Sequence, residues 1–289
     1  MKLVQIRKHS GIGLGIMTEL GVVDVEKESQ KRHLNAPRTM MDVIEGGSNA
    51  IAVLKDIEQN PLFISDNPLA PVIENPGKVL CIGLNYRKHA KECNLPLPEH
   101  PALFNKFQNA IAGDGDVVML PSRYEQFDYE AELVVIIGKP ARNVSREHAL
   151  EYVFGYTCGN DLSTRDLQFE RAGQWVLSKT FDGFAPIGPC VVTADSIEPE
   201  NLHIWSKVNG EIRQDSNTSD LIFSVAEIIE DLSGHFTLMP GDVIFTGTPE
   251  GVIYGSSDKG WLKSGDCVEI GIDGIGVLKN RLTGEGVNG

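Results

Sequence analysis

Hydrophobic positions along the chain recur with two different periods. Short β-branched runs, Leu3 to Ile6 and Gly21 to Val25, flank Gly11-Ile12-Gly13-Leu14-Gly15, which lacks the third glycine and the following helix of a dinucleotide site. A strand meander is expected there. From residue 36 to 58 the period becomes helical, with Met40, Met41, Val43 and Ile44 before Gly46-Gly47 and Ile51, Val53, Leu54 and Ile57 after it. Prolines 61, 68, 71 and 76 then mark a connector, so a boundary is placed near residue 74, separating a small N-terminal α/β domain (1–74) from a larger unit (75–289). Beyond it, Lys78 to Ile82, Leu133 to Ile137, Tyr152 to Cys158 and Val243 to Phe245 read as buried strands. Prolines 96, 98 and 101 predict an irregular loop through Phe104, and Ser145 a capped helix through Tyr152. Val208-Asn209-Gly210-Glu211 predicts a type I′ hairpin, Ser224-Val225-Ala226-Glu227 a capping box, and Asp266 to Leu278 a hairpin about Asp273-Gly274.

The acids Asp128, Glu130 and Glu132 break this pattern by standing directly before the apolar run. Strand alternation places them on one face. Two carboxylates converging there to ~4 Å would repel by about 4 kcal/mol at an effective dielectric near 20. Either water solvates the strand end or a hard cation neutralises it, and all-oxygen ligands suit Mg²⁺, Mn²⁺ or Ca²⁺ better than zinc. Removing one charge, as in Glu130→Gln, is expected to relieve repulsion.

Other candidates follow from spacing. His89 and Glu92 stand at i and i+3 of a short helical segment, either a general-base unit or an ordinary exposed pair. Asp161 ends a strand as a helix cap, a metal ligand or both, and Arg165 and Gln168 share a helical face one turn later. Lys179, in a loop of apolar and aromatic neighbours, is placed to hold an anionic oxygen or to snorkel to the surface. The Gly-rich loop containing Gly247 and Thr248 offers amides and a hydroxyl to a carboxylate, or only turns the chain.

Charge narrows the partners. In 289 residues, 40 acids against 26 bases give a net charge of −14, which disfavours nucleic acid and anionic membrane. The five cysteines form no Cys-x-x-Cys pair, fitting a reducing cytosol and predicting a cytoplasmic protein. No stretch approaches the length of a membrane span.

In order, Gly83-x-Asn85-Tyr86-x-x-His89-x-x-Glu92, Asp128-Tyr129-Glu130-x-Glu132-Leu133, Asn160-Asp161-x-Ser163-x-Arg165-Asp166-x-Gln168, Lys179, and Gly241-Asp242 with Thr246-Gly247-Thr248-Pro249 resemble the fumarylacetoacetate hydrolase family over roughly residues 75 to 280. The resemblance implies a β-rich α+β fold with a mixed β-roll catalytic domain, usually a homodimer. It also implies Mg²⁺ or Mn²⁺ on Glu130, Glu132 and Asp161, and a lid carrying His89 and Glu92. The founding tyrosine-degrading branch has a further aspartate as fourth ligand where this chain has Asn85-Tyr86, so three protein carboxylates are expected and fumarylacetoacetate itself is not.

The implied substrate is a 2-oxo acid chelated by the metal through its carboxylate and 2-oxo oxygen. The first expectation is acylpyruvate hydrolysis: His89, with Glu92, deprotonates a water that attacks C4 of a 2,4-dioxo acid, releasing pyruvate enolate and an acid. Lys179, with Arg165 or Gln168, would stabilise the oxyanions, with Thr248 and Gly247 nearby. Oxaloacetate decarboxylation, and isomerisation or hydration of unsaturated 2-oxo acids, share the enolate and remain alternatives. A non-catalytic scaffold on the same fold is the alternative of another class.

Overall fold

A computed structural model describes residues 1–9, 11–170 and 175–286. Its centre is the strand Ala131–Ile137, every residue of which is buried. Alternation sends Leu133, Val135 and Ile137 into one core and Val134 and Ile136 into the other. A run apolar on both faces must lie between two packed layers, which explains its unbroken hydrophobicity.

This strand pairs antiparallel with Val153–Asn160 and with Val243–Phe245. The sheet continues on one side through Ala185–Thr193 and on the other through Val79–Gly83 and the edge strand Ala102–Lys106. That edge strand occupies the stretch expected to be an irregular loop. Pro101 lies just before it, where no ladder bond is lost. A second, five-stranded sheet contains His203–Val208, Glu211–Asn217, Cys267–Ile272, Gly276–Gly284 and Val117–Leu120. The architecture is β-rich α+β.

The first strands form the expected meander, Lys2–Lys8, Gly11–Thr18 and Gly21–Asp24. Glycine serves close packing there, since a Cβ on Gly15 would come within 2.8 Å of Val4 and Val22 side-chain carbons. Lys2 and Leu3 pair with Val192 and Val191, so the meander extends the large sheet across position 74. Leu14, Val43 and Leu54 share a core with Val134 and Phe245.

The helix Met40–Gln59 begins in a capping box of Thr39 and Asp42 and kinks at Gly47, where φ is +55°. The helix Val25–Arg32, capped by the Asp24 side chain, escapes the periodicity because only Val25 and Glu28 are buried on it. The segment Arg146–Tyr152 is a 3₁₀ helix without a bond from the Ser145 side chain; Glu230 accepts from the Arg146 amide instead. Asn209 and Gly210 both have positive φ, as a type I′ turn requires. The capping box at Ser224 opens the helix Val225–His235.

Asn85 ties these layers together beside the site. Its Nδ2 donates to the carbonyls of Phe223 (3.0 Å) and Thr246 (2.7 Å), and its Oδ1 accepts from the Phe223 amide (2.8 Å), all with no solvent exposure of the residue. Asn85→Ala strands these buried groups and should destabilise the fold by at least ~2 kcal/mol in urea unfolding. A loss below ~0.5 kcal/mol, the range of neutral surface changes, would deny Asn85 this role.

Candidate metal centre and active site

Three acids meet where the central strand leaves the core. Glu132 pairs with Gly159 across the ladder, and just beyond it the Asp161 amide donates to the Glu130 carbonyl at 3.0 Å. The Asn160 side chain accepts from the Glu130 amide at 3.1 Å. These bonds fold two chain ends toward one point, so that ligand oxygens of Glu130, Glu132 and Asp161 lie within 4.8 Å of one another. All three residues are buried, at 6%, 2% and 0% exposure, which removes the solvated-strand-end reading. Asp161 caps no helix, since the next one starts at Arg165.

Asp128 stays outside the cluster. Its carboxylate accepts from the amides of Ile253 (2.9 Å) and Tyr254 (3.0 Å) and from Arg165 Nε (2.9 Å). Arg165 also donates to Glu130 Oε1 at 2.6 Å and to Gln168 Oε1 at 2.9 Å. Lys179 ends the short helix Trp175–Lys179 rather than lying in a loop; its ammonium bonds Glu130 Oε2 (2.7 Å) and Asp161 Oδ2 (2.9 Å) and stands 5.1 Å from the Phe104 ring centre.

Lys106, absent from the sequence-based candidates, completes this set. It is 2% exposed and pairs with Asp161 Oδ1 at 2.6 Å, a contact close enough for an ion pair but not aligned as a hydrogen bond. It also donates to the carbonyls of Leu162 and Phe184. Its signal was a lysine ending a short run otherwise lacking positive charge, Ala102-Leu103-Phe104-Asn105.

The charges are compensated unevenly. Burial raises the Glu130 pKa, but Lys179 and Arg165 outweigh it and bring the carboxyl down to about 2. Among the described residues no side-chain cation pairs with Glu132; its Oε2 accepts from the Gly247 amide at 2.7 Å. Burial, then Asp161 and Glu130, push its carboxyl well above the usual range. The repulsion expected for the strand is therefore concentrated on Glu132. An all-oxygen cluster with one poorly compensated charge fits a hard divalent ion, whose ~2.0 to 2.1 Å bonds set octahedral ligands ~3 to 4 Å apart.

Opposite the acids, the helix Arg87–Glu92 carries the expected pair, with His89 Nδ1 3.1 Å from Glu92 Oε2. Burial works against protonation of His89, yet bonds to Cys93 and Glu92 and the charge of Glu130 outweigh it, raising its pKa to about 9. Arg87 donates to the Asp220 and Leu221 carbonyls, and the Lys88 amide donates to Asp220 Oδ2. The first turn of the expected lid is thus fastened to residues 220 and 221.

The Gly-rich loop does hold carboxylates, but they belong to the protein. Gly247 donates to Glu132, and the Gly251 amide donates to Glu92 Oε1 at 3.0 Å. Thr248 Oγ1 accepts from Gln214 Nε2 at 2.8 Å. One cavity of about 220 Å³ is lined by His89, Glu130, Glu132, Asp161, Arg165, Gln168, Lys179 and Thr248, with Leu84, Phe104, Trp175 and Tyr254 as apolar wall. Glu92 and Gly247 stand behind that lining, each bonded to a residue in it. Among the described residues no helix is long and apolar enough to cross a membrane.

The family model of the fumarylacetoacetate hydrolase C-terminal region matches residues 78–283. The human protein "Oxaloacetate tautomerase FAHD2A, mitochondrial" is 40% identical over 290 residues, covering 98% of this chain and 91% of its own. The fumarylacetoacetate hydrolase structure from Exiguobacterium antarcticum superposes with a TM-score of 0.83 at 32% identity, covering 99% of this chain and 100% of that one. The maleylpyruvate hydrolase of Sphingobium sp. SYK-6, solved with manganese(II) ion and pyruvate, superposes with a TM-score of 0.81 at 28% identity, covering 98% and 99%.

The position of the uncompensated charge is testable. A carboxyl whose folded pKa exceeds its unfolded value costs no stability below the unfolded value and its full penalty above the folded one. At neutral pH, Glu132→Gln should therefore raise the thermal midpoint of metal-free protein while lowering Mn²⁺ affinity by more than ~100-fold. Glu130→Gln should lower that midpoint, because Arg165 and Lys179 lose their shared anion; this reverses the expectation drawn from strand alternation alone. If Glu132→Gln melts no higher than wild type, the excess charge lies elsewhere.

Proposed function

The chain belongs to the fumarylacetoacetate hydrolase family, and on that premise we propose that it enolises a short 2-oxo acid at C3, interconverting the keto and enol forms of an oxaloacetate-like dicarboxylate. The observation that carries this reading is a buried imidazole facing three buried carboxylates across one small cavity. The volume, about 220 Å³, is below the ~300 Å³ at which sites for drug-sized ligands begin, which favours a compact substrate.

A divalent cation on Glu130, Glu132 and Asp161 would polarise the 2-oxo group and acidify the C3–H bond. The chain's own groups do the rest. Glu92 holds His89 at Nδ1, leaving Nε2 as the nitrogen that exchanges a proton with C3. With its pKa at about 9, His89 carries a proton at neutral pH, suited to protonating C3 of an enol and recovering that proton in the reverse direction. Gln168 turns its carbonyl oxygen to Arg165, so its amide N–H groups remain to meet a substrate carboxylate. Lys179 has one N–H beyond those given to Glu130 and Asp161, available to an oxyanion. Arg165, occupied by Asp128, Glu130 and Gln168, orients those groups rather than gripping substrate.

Hydrolysis of a 2,4-dioxo acid is the second reading, supported by the likeness to the maleylpyruvate hydrolase. It requires His89 to be neutral before it can take a proton from water. That requirement, and the higher identity to a tautomerase, favour enolisation, a reaction the motifs did not single out, over the hydrolysis they placed first.

The two readings separate in one set of assays with Mn²⁺: ketonisation of enol-oxaloacetate followed by absorbance, and pyruvate release from acetylpyruvate. We expect ketonisation to dominate and His89→Ala to slow it by ~10² to 10⁴. Because the donor must be protonated, the rate should fall as pH rises through about 9, and Glu92→Gln, removing a partner that raises this pKa, should move that fall to lower pH. Ketonisation no faster than in buffer, alongside brisk acetylpyruvate cleavage, would favour the hydrolase instead.

A further inference from the structure

We propose that His89, Glu92 and Cys93 form a second cation site on the wall of the same cavity, for zinc or another thiophilic divalent ion. A ring nitrogen, a carboxylate oxygen and the sulfur lie within 4.8 Å of one another. His89 Nδ1 is 3.1 Å from Glu92 Oε2 and 3.9 Å from Cys93 Sγ. Tetrahedral zinc, with bonds of ~2.0 Å to nitrogen and oxygen and ~2.3 Å to sulfur, spaces such atoms ~3.3 to 3.6 Å apart. Both separations from His89 lie within a few tenths of an ångström of that spacing.

The ligands come from positions i, i+3 and i+4 at the end of one short helix, with Cys93 as its C-terminal cap. One turn presents all three together. Glu92 already has the outer partner a ligating carboxylate needs, since its other oxygen accepts the Gly251 amide. Gly255 leaves room for this arrangement: a Cβ there would come within 2.4 Å of Glu92 Cδ.

The two clusters differ in kind. Glu130, Glu132 and Asp161 offer hard oxygens alone, whereas His89, Glu92 and Cys93 offer nitrogen, oxygen and sulfur, which suit zinc over magnesium. Binding releases the Cys93 proton and any proton on Nδ1 to solvent. Three protein ligands leave a fourth position for water or substrate. An ion there takes Nδ1 and Glu92 out of their mutual bond, so it inhibits; this consequence rests on the role proposed for His89, while binding itself does not.

Cobalt(II) is the probe, added to the full-length protein in saturating Mg²⁺. The wild type should develop the near-ultraviolet thiolate-to-cobalt charge-transfer band, Cys93→Ser should lose it, and Glu132→Gln should keep it. No band in the wild type, or one that survives in Cys93→Ser, overturns the site. In parallel, Cys93→Ser should need at least ~10-fold more Zn²⁺ than wild type for half-inhibition of ketonisation. A band confined to Cys93 with equal zinc sensitivity in both proteins would uphold the site and refute the role given to His89.

Discussion

Burying charge is the constraint around which the molecule is arranged. Asp128, Glu130, Glu132 and Asp161 face Lys106, Arg165 and Lys179, all seven with little or no exposure. Each ion taken from water costs several kcal/mol unless its partners are well placed. That placement comes from a sheet with apolar layers on both sides: the central strand fixes Glu132, its neighbour fixes Asp161, and the edge strand brings in Lys106. Among the described residues these three cations pair with Asp128, Glu130 and Asp161, while Glu132 is met by a backbone amide. That arrangement suits a hard divalent cation.

Much of this was legible in the chain. The acids before an apolar run, the i, i+3 pair on the Arg87–Glu92 helix and the strand-ending Asp161 all carry local signatures of period and spacing, and all line or back the same cavity. What stayed hidden depends on contacts across long stretches of sequence. Lys106 meets Asp161 from 55 positions away, and Asn85 bonds Phe223 and Thr246 from more than a hundred. The helix Val25–Arg32 was hidden for a local reason: it is nearly all polar, so periodicity had nothing to follow. Strand alternation placed Glu130 and Glu132 correctly on one face but could not show that Arg165 and Lys179 would neutralise one and not the other.

The chemistry divides along the same line. On the proposed reading, forming an enolate from a 2-oxo acid calls for the acid cluster and the groups that neutralise it, of which the motifs specify all but Lys106. On that reading the next step depends on whether the imidazole holds its proton, which burial opposes and Cys93, Glu92 and the field of Glu130 favour. Related chains can share every ligand and still differ in product if those surroundings differ.

One loop carries a consequence for redesign. From Gly247 to Gly251 it spans five residues, and its two ends hold Glu132 and Glu92. The acid cluster and the carboxylate partner of His89 are thus mounted on a single bracket. An insertion there, or a side chain at Gly247 that would press within 2.7 Å of Asn85 Cβ, disturbs both at once. Leu84 and Trp175 on the apolar wall carry neither, so the cavity can be reshaped there without disturbing that bracket.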